Sequence, residues 1–416
     1  MRVALTCNNY PPEFFGGTER VVQALASGIA SAGDDVVVIC GSDAPHTGED
    51  VLGETVDGVP VYRIPLAAGE GYGLDISRPR VLSLMRRILT DEQIDVLHVH
   101  HWSHLSDGQV RMASELGVGA IATLHDMWTS CGRFFRLPPP GIRCPSGNRR
   151  EACVECANTD LRTDTAWIEE RLRSRDESIG EELLAAHAVY APSIDCARAC
   201  VAHTTAGASL SERGIRILPH GLLSALRSTR RGTRRAAGSD GMRVGMFGNL
   251  NREKGVLVLV RAMGKVPADL HLWGETKRDF VEEVDELATR LGVRVVWHGA
   301  YDPMHAHPAE ELDLAVFPSL CRETYGLVVE EALSAGTPVI VSDIGAFPER
   351  MRGGGLAVPP GDHEFLRVTI RRLVEDPASL EALRATLPTQ FHTIQDSVET
   401  YREAYREVIA SVRAGS

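Results

Sequence analysis

The stretch Cys321–Gly336 reads C-R-E-T-Y-G-L-V-V-E-E-A-L-S-A-G. The apolar run before it, Leu314–Ser319, has the length of a buried parallel strand, and a second such run, Pro338–Asp343, follows it. Between them Leu327, Val328, Ala332, Leu333 and Ala335 recur at helical spacing, and Gly336 with Pro338 ends the helix. Strand, loop, helix and strand in this order make an α/β unit. Glu323 then lies on the strand-to-helix loop, Tyr325, Gly326 and Leu327 at the helix N-terminus, and Glu331 more than a turn further in. Unpaired N–H groups and the positive end of the helix dipole suit a phosphate there. A carboxylate on either side accepts hydrogen bonds from sugar hydroxyls, in bidentate fashion where the hydroxyls form a vicinal diol. Glycosyl group, diphosphate and ribose, laid end to end, would match that order of groups.

The same alternation runs outward in both directions. Val244–Gly248 is a buried strand, followed by the loop N-L-N-R-E-K-G and an apolar helix. Strands Leu270–Gly274 and Arg294–Ala300 flank a helix over Lys277–Leu291. At the other end of the chain, strand Val3–Thr6, a turn-rich loop, a helix from Thr18 to near Gly33 and strand Val36–Cys40 open a parallel sheet. Gly16 and Gly17 stand where that first strand meets its helix, and without Cβ atoms their backbone can approach a ligand closely. Val59–Ile64 reads as a strand, and Pro79–Leu89 as an amphipathic helix with Arg78, Arg80, Arg86 and Arg87 on its rim. A solvated face is the expected role of that rim; peripheral contact with an anionic membrane is the alternative. Strand Asp95–His100 ends in His98, His100, His101 and His104. These alternate and so point to opposite faces, which favours a cleft lining over a metal site. Ala120–Asp126 carries His125 at its C-terminal end, the edge of an open α/β sheet where ligands bind.

Composition narrows the class. The 416 residues suggest two α/β domains, and 44% hydrophobic with 24% charged content belongs to an ordinary globular chain. A net charge of −12 argues against nucleic acid as a partner. No apolar stretch nears the ~20 residues of a spanning helix, and the N-terminal run is short for a signal peptide, so a cytoplasmic location is expected, with membrane association left open. Nine cysteines are then thiols or metal ligands rather than disulfides. Four of them, Cys131, Cys144, Cys153 and Cys156, follow C-x12-C-x8-C-x2-C in a proline-, glycine- and arginine-rich segment within residues 127–156. Structural zinc held by four thiolates would order such a segment; free thiols in a loop, or two disulfides in an exported protein, are the other readings. Four sulfur ligands leave no open position for catalysis.

Glu323-x7-Glu331 followed by A-L-S-A-G-T-P-V resembles the signature of the family 4 retaining glycosyltransferases of the GT-B fold. G-G-T-E-R at Gly16–Arg20 resembles the family's G-G-x-E loop, which lies over the donor diphosphate and beside the acceptor. That resemblance makes Gly17 a donor contact and Gly16 and Glu19 acceptor contacts, with His100 and His101 lining the acceptor side. T-L-H-D resembles the position whose histidine, here His125, contacts the donor sugar. Where the family has G-R-L-x-x-x-K-G, Lys254 matches the lysine that grips the diphosphate, but Asn249 replaces the arginine, leaving Arg252 as a candidate substitute. Gly274 and the 299–301 region correspond to the nucleotide pocket. S-D-I-G-A-F-P-E departs from G-G-x-P-E by Ala346, and G-G-G-L-A-V-P-P-G-D resembles the family's T-G-L-L-V-P-P-G-D. Together these features span Pro11 to Asp362.

The resemblance implies two Rossmann-like domains facing each other across a cleft: an acceptor domain over 1–222, a linker over 223–241, a nucleotide-sugar domain over 242–393, and a last helix in 394–416 returning to the first domain. It implies retaining transfer from a nucleoside-diphosphate sugar to a hydroxyl acceptor, with no metal or cofactor for catalysis. Glu323, His125 and Lys254 would act at the reacting centre, with Tyr325, Gly326, Leu327 and Glu331 on the donor. The same double frame serves sugar-nucleotide epimerases and phosphorylases, and a silent nucleotide-sugar-binding scaffold is a rival from another class. A nicotinamide dehydrogenase is disfavoured because no G-x-G-x-x-G follows the first strand.

Overall fold

In the computed structural model, residues 1–44, 48, 50–67, 73–134, 136–138, 144, 151–202, 207, 209–210, 214–223, 241–302 and 307–415 are described. The apolar runs of the sequence become two sheets in two compact units: Met1–Leu223 with His392–Ser416, and Ser224–Phe391. The stretch read as a linker lies, but for its ends, outside the described residues.

The first unit contains β1 (Arg2–Cys7), α1 (Gly17–Ser31), β2 (Asp35–Ser42), β3 (Leu52–Val56), β4 (Val59–Pro65), α2 (Pro79–Asp91), β5 (Val96–Val99), α3 (Gln109–Glu115), β6 (Gly119–Thr123), α4 (Glu151–Leu161), α5 (Thr165–Ala185), β7 (Ala188–Ala191), α6 (Ile194–Val201) and β8 (Arg216–Ile217). The sheet order is β3-β4-β2-β1-β5-β6-β7-β8, parallel except for the β3–β4 hairpin. Strand β3 escaped the sequence reading because its residues are mostly exposed. Its signal was the turn, Asp57-Gly58, both at positive φ, which joins two strands tightly. Helix α4 is a second addition: Cys153 and Cys156, expected on a loop, lie one turn apart on a helix.

Among the rim arginines of α2, Arg78 is a correction. Arg78 is buried and donates to the carbonyls of Ser103 (2.7 Å) and Leu105 (3.1 Å). Arg80 donates to Asp50 and to the Pro65 carbonyl, and Arg86 pairs with Glu115. Arg86 and Arg87 stay exposed, as a solvated face requires, so the buried Arg78 is the departure from the expected rim. Among the described residues no helix is long and apolar enough to cross one.

The C-terminal helix, Ile394–Gly415, belongs to this first unit. Its buried Tyr401 and Tyr405 hydroxyls meet Thr123 (3.0 Å) and His98 (2.7 Å) at the sheet. A Cβ on Gly28 or Gly119 would come within 2.6 Å of Val398 or 2.4 Å of Val408, so glycine is what lets this helix lie so close.

The second unit runs β9 (Arg243–Phe247), α7 (Val256–Met263), β10 (Asp269–Trp273), α8 (Arg278–Leu291), β11 (Val295–Gly299), β12 (Leu314–Phe317), α9 (Leu327–Ser334), β13 (Val339–Ser342), α10 (Phe347–Met351), β14 (Gly355–Val358), α11 (His363–Glu375) and α12 (Pro377–Arg384). Its order, β11-β10-β9-β12-β13-β14, is parallel throughout. Numbered within the unit this is 3-2-1-4-5-6, a doubly wound sheet whose strand order reverses between β9 and β12. In the first unit the reversal falls between β1 and β5. Such reversals open a crevice at the strand C-termini, and they locate the candidate sites.

Candidate functional site

In the second unit the crevice is bounded by the loops after β9 and β12. Both are pinned. The N–H groups of Leu320 and Cys321 donate to the Glu253 carbonyl (2.8 and 3.3 Å). A Cβ on Gly255, at φ +81°, would stand 1.9 Å from the Pro318 carbonyl oxygen, so this contact demands glycine. The result holds Lys254 against Glu323. The Lys254 ammonium donates to Glu323 Oε1 at 2.7 Å, and the Ser319 hydroxyl donates to the same oxygen at 2.9 Å. Burial alone would lower the Lys254 pKa, but the facing Glu323 carboxylate outweighs it and holds the ammonium above its usual value. Among the described residues Glu323 Oε2 makes no hydrogen bond, leaving one acceptor oxygen beside a fixed cation.

The backbone of Glu323 is fixed as well. Its carbonyl accepts from Ala346 N–H at 2.8 Å, and Gly345, at φ +67°, lies so close that a Cβ would sit 2.4 Å from that carbonyl oxygen. Ala346 itself has φ −81°, so alanine is conformationally compatible there. Gly326 (φ +88°) precedes α9, whose first residue is Leu327, and Glu331 sits more than a turn in, as the sequence places them. Tyr325 is less free than its position suggested: its hydroxyl donates to Glu330, which also pairs with Arg352 at 3.0 Å. Of two adjacent glutamates, Glu330 is thus bound up internally. Glu331 lies 3.5 Å from His307 Nε2.

Gly274 follows β10. A Cβ there, at φ +147°, would fall 1.9 Å from the Gly248 carbonyl oxygen, so the glycine is required by strand packing alone. Arg252 pairs with Glu283 and lies over the Phe280 ring, lining a cavity of about 670 Å³.

In the first unit the crevice carries a different set of groups. His98 and His100, two residues apart, share a face with ring centroids 3.9 Å apart, which corrects the expectation that the histidines diverge. His98 is committed to Tyr405 and Thr123, both at 2.7 Å, and His104 to Asn8. His100 Nδ1 lies 2.7 Å from His125 Nε2, and His125 stacks on His220 at 4.6 Å. Burial drives the pKa of His100 well below normal and that of His125 to about 3, so both are neutral at pH 7. His101 Nδ1 accepts two backbone N–H groups at 3.0 Å, so its proton is on Nε2, which donates to Asp126 at 3.1 Å. Glu19, third residue of α1, is buried and folds over Gly16, where a Cβ would meet its carboxylate at 2.3 Å. Burial raises its pKa to about 7. Gly17 is the first residue of α1.

Cys131, Cys144, Cys153 and Cys156 all line one cavity of about 310 Å³, with Trp128 and Phe134. Burial, opposed by Arg136 and reinforced by the other three thiols, pushes Cys144 up. Among the described residues, however, no three Cys, His, Asp or Glu groups stand close enough to hold one ion.

Sequence reading alone did not single out Ser319, His307, Asp126 or His220. One had a signal: Asp126 follows His125 directly in T-L-H-D.

A family model described as glycosyl transferases group 1 matches residues 241–376, and one described as a glycosyl transferase 4-like domain matches 16–172. The chain is 25% identical to the glycogen synthase of Mycobacterium tuberculosis H37Rv, over 100% of this chain and 96% of that one. In fold it resembles sucrose-phosphate synthase from Thermosynechococcus elongatus (TM-score 0.65, 20% identity, 99% of both chains). It likewise resembles Anabaena HepE, solved in complex with UDP-glucose (TM-score 0.58, 17% identity, 100% of this chain and 99% of that one).

Proposed function

The chain belongs to the family 4 glycosyltransferases of the GT-B fold, and from that premise we propose that it moves a sugar, with retention at the anomeric carbon, from a nucleoside-diphosphate sugar to an acceptor hydroxyl. The observation that carries this is the Lys254–Glu323 pair at the switch point of the second unit, beside the N-terminus of α9 and with Glu331 beyond it. Lys254 and the N–H groups at 325–327 would neutralise the diphosphate as it leaves, which is transition-state charge met by fixed dipoles and a fixed cation. Glu323 Oε2 would accept from donor-sugar hydroxyls, and Glu331 from the ribose diol.

The bond from the anomeric carbon to the phosphate oxygen breaks, the acceptor oxygen bonds to that carbon on the same face, and its proton passes to the departing phosphate. No enzymic nucleophile is needed, so catalysis is positioning and electrostatics. With Lys254 and the helix N-terminus meeting the charge, the reaction is proposed to need no divalent ion. Neutral His125 would contact the donor sugar, while Glu19 and His101 would hold the acceptor. Structural zinc in the cysteine segment remains part of the proposal; it would have to draw the four thiols closer than they stand.

The test is a thermal-shift screen of nucleoside-diphosphate sugars, since a ligand bound only by the folded state raises Tm. A hit is then incubated with mixed hydroxyl acceptors and the products weighed. A donor-sized mass gain on an acceptor supports transfer; a donor that changes without loss of mass indicates an epimerase, and binding without turnover a scaffold.

A further inference from the structure

Glu331 has a neighbour that none of the motifs contains. His307 lies within the connection between β11 and β12, just before a single turn of 3₁₀ helix, Pro308–Glu310. Its side chain is fully buried, set edge-on against Phe247 (4.9 Å) and Tyr301 (5.7 Å). Nδ1 accepts the Ala309 backbone N–H at 3.2 Å, capping the turn. A nitrogen that accepts carries no proton, so the neutral ring is held as the Nε2–H tautomer. That Nε2–H has no hydrogen-bond partner among the described residues. It stands 3.5 Å from Glu331 Oε2, and the Glu331 carboxylate itself makes no hydrogen bond among the described residues.

A buried donor without a partner is costly, because the hydration it loses is not replaced. A buried donor facing a carboxylate at slightly more than bonding distance needs only a small rotation to be satisfied. We propose that His307 is a positioning residue for Glu331: its Nε2–H takes Oε2 and turns Oε1 to the vicinal diol of a ribose. Glu331 alone would present either oxygen in several rotamers; the imidazole selects one. The proposal rests on the donor assignment above, because it gives Glu331 the ribose.

Two substitutions separate this role from simple packing. In His307→Asn the side-chain oxygen takes the place of Nδ1 and can keep the cap, but nothing reaches Glu331. In His307→Gln a side-chain N–H again reaches the position of Nε2. The probes are UDP, ADP and GDP, with the 2′,3′-dideoxy form of whichever binds best, and the readout is Kd by calorimetry, with Tm recorded for each protein.

The expected result is that His307→Asn weakens the ribonucleotide about fivefold and the dideoxy form less than twofold. His307→Gln should recover most of the loss, and Glu331→Ala should remove the preference for the ribose form. Equal weakening of both nucleotides by His307→Asn, or of neither, while Glu331→Ala still abolishes the preference, overturns the role of His307 and leaves the donor site standing. A wild-type protein that does not distinguish the two nucleotides, or a Glu331→Ala variant that still does, overturns the donor assignment and this inference with it.

Discussion

The two units repeat one architecture and fill its crevice with opposite chemistry. Each has a parallel sheet whose strand order reverses once, between β1 and β5 in the first and between β9 and β12 in the second. In the second, the crevice holds a cation and a carboxylate 2.7 Å apart at the start of a helix. In the first, it holds imidazoles kept neutral by burial and a carboxyl group whose pKa is raised to about 7. Fixed charge suits an anion that must be gripped and then released as a better anion. Neutral donors and acceptors suit a hydroxyl group, which carries no charge to match. The fold supplies the location, and the residues at the strand ends decide which end of a reaction is bound there.

The largest effect that would break this contrast is on Lys254. Lys254→Ala should lower kcat/KM for a cognate nucleotide-sugar by about a hundredfold or more, the usual cost of removing one preorganised group that meets developing charge. Steady-state kinetics checks it, and an undiminished rate would remove the second crevice from the chemistry. Glu323→Ala comes next, at tenfold or more, equivalent to about 1.4 kcal/mol. Circular dichroism should show the fold intact.

The third prediction concerns the first crevice and turns on the sign of a pKa shift. Glu19 is raised from 4.5 to about 7 by burial. Its folded state holds the proton more tightly than the unfolded chain does, so its contribution to stability is present below the unfolded pKa. It is lost as pH rises toward 7, by about 3 kcal/mol in all, and is constant above. Glu19→Gln should therefore be more stable than the native protein at pH 8 by a few kcal/mol, with the gap closing by pH 4.5. Denaturant unfolding at both values measures it. A gap independent of pH would mean that Glu19 ionises normally and the first crevice is not low in charge.

The smallest effect is on the cysteines. In the native protein an alkylating reagent should reach Cys131, Cys144, Cys153 and Cys156, which are partly exposed, before the buried Cys7, Cys40, Cys196, Cys200 and Cys321. If zinc ties the four together, their labelling will wait for a chelator and metal analysis will find the ion; peptide mapping reads both outcomes.

Much of this molecule was legible because parallel strands are buried on both faces and read as short apolar runs, and because helix ends carry glycine. Glu323, Gly326 and Glu331 fell where such signals put them. What was not legible has a physical reason in each case. Strand β3 shows few apolar residues because it is an exposed edge. Arg78 looks like part of a solvated basic face in sequence, yet it is buried and backbone carbonyls take up its charge. Arg252 shares a loop with Lys254 yet pairs with Glu283, a partner that loop spacing does not reveal. His307 lies 24 positions before Glu331 and joins no motif; only the return of the chain between β11 and β12 brings the two together.

The most direct test is a crystal structure of the protein with the nucleoside-diphosphate sugar selected by thermal shift. The diphosphate should lie against Lys254 and the N–H groups at 325–327, with Glu331 within hydrogen-bond distance of the ribose hydroxyls and Glu323 of the sugar's. A nucleotide found instead in the first unit, between Glu19 and His100, with Glu323 and Glu331 untouched, would contradict the assignment of the two crevices.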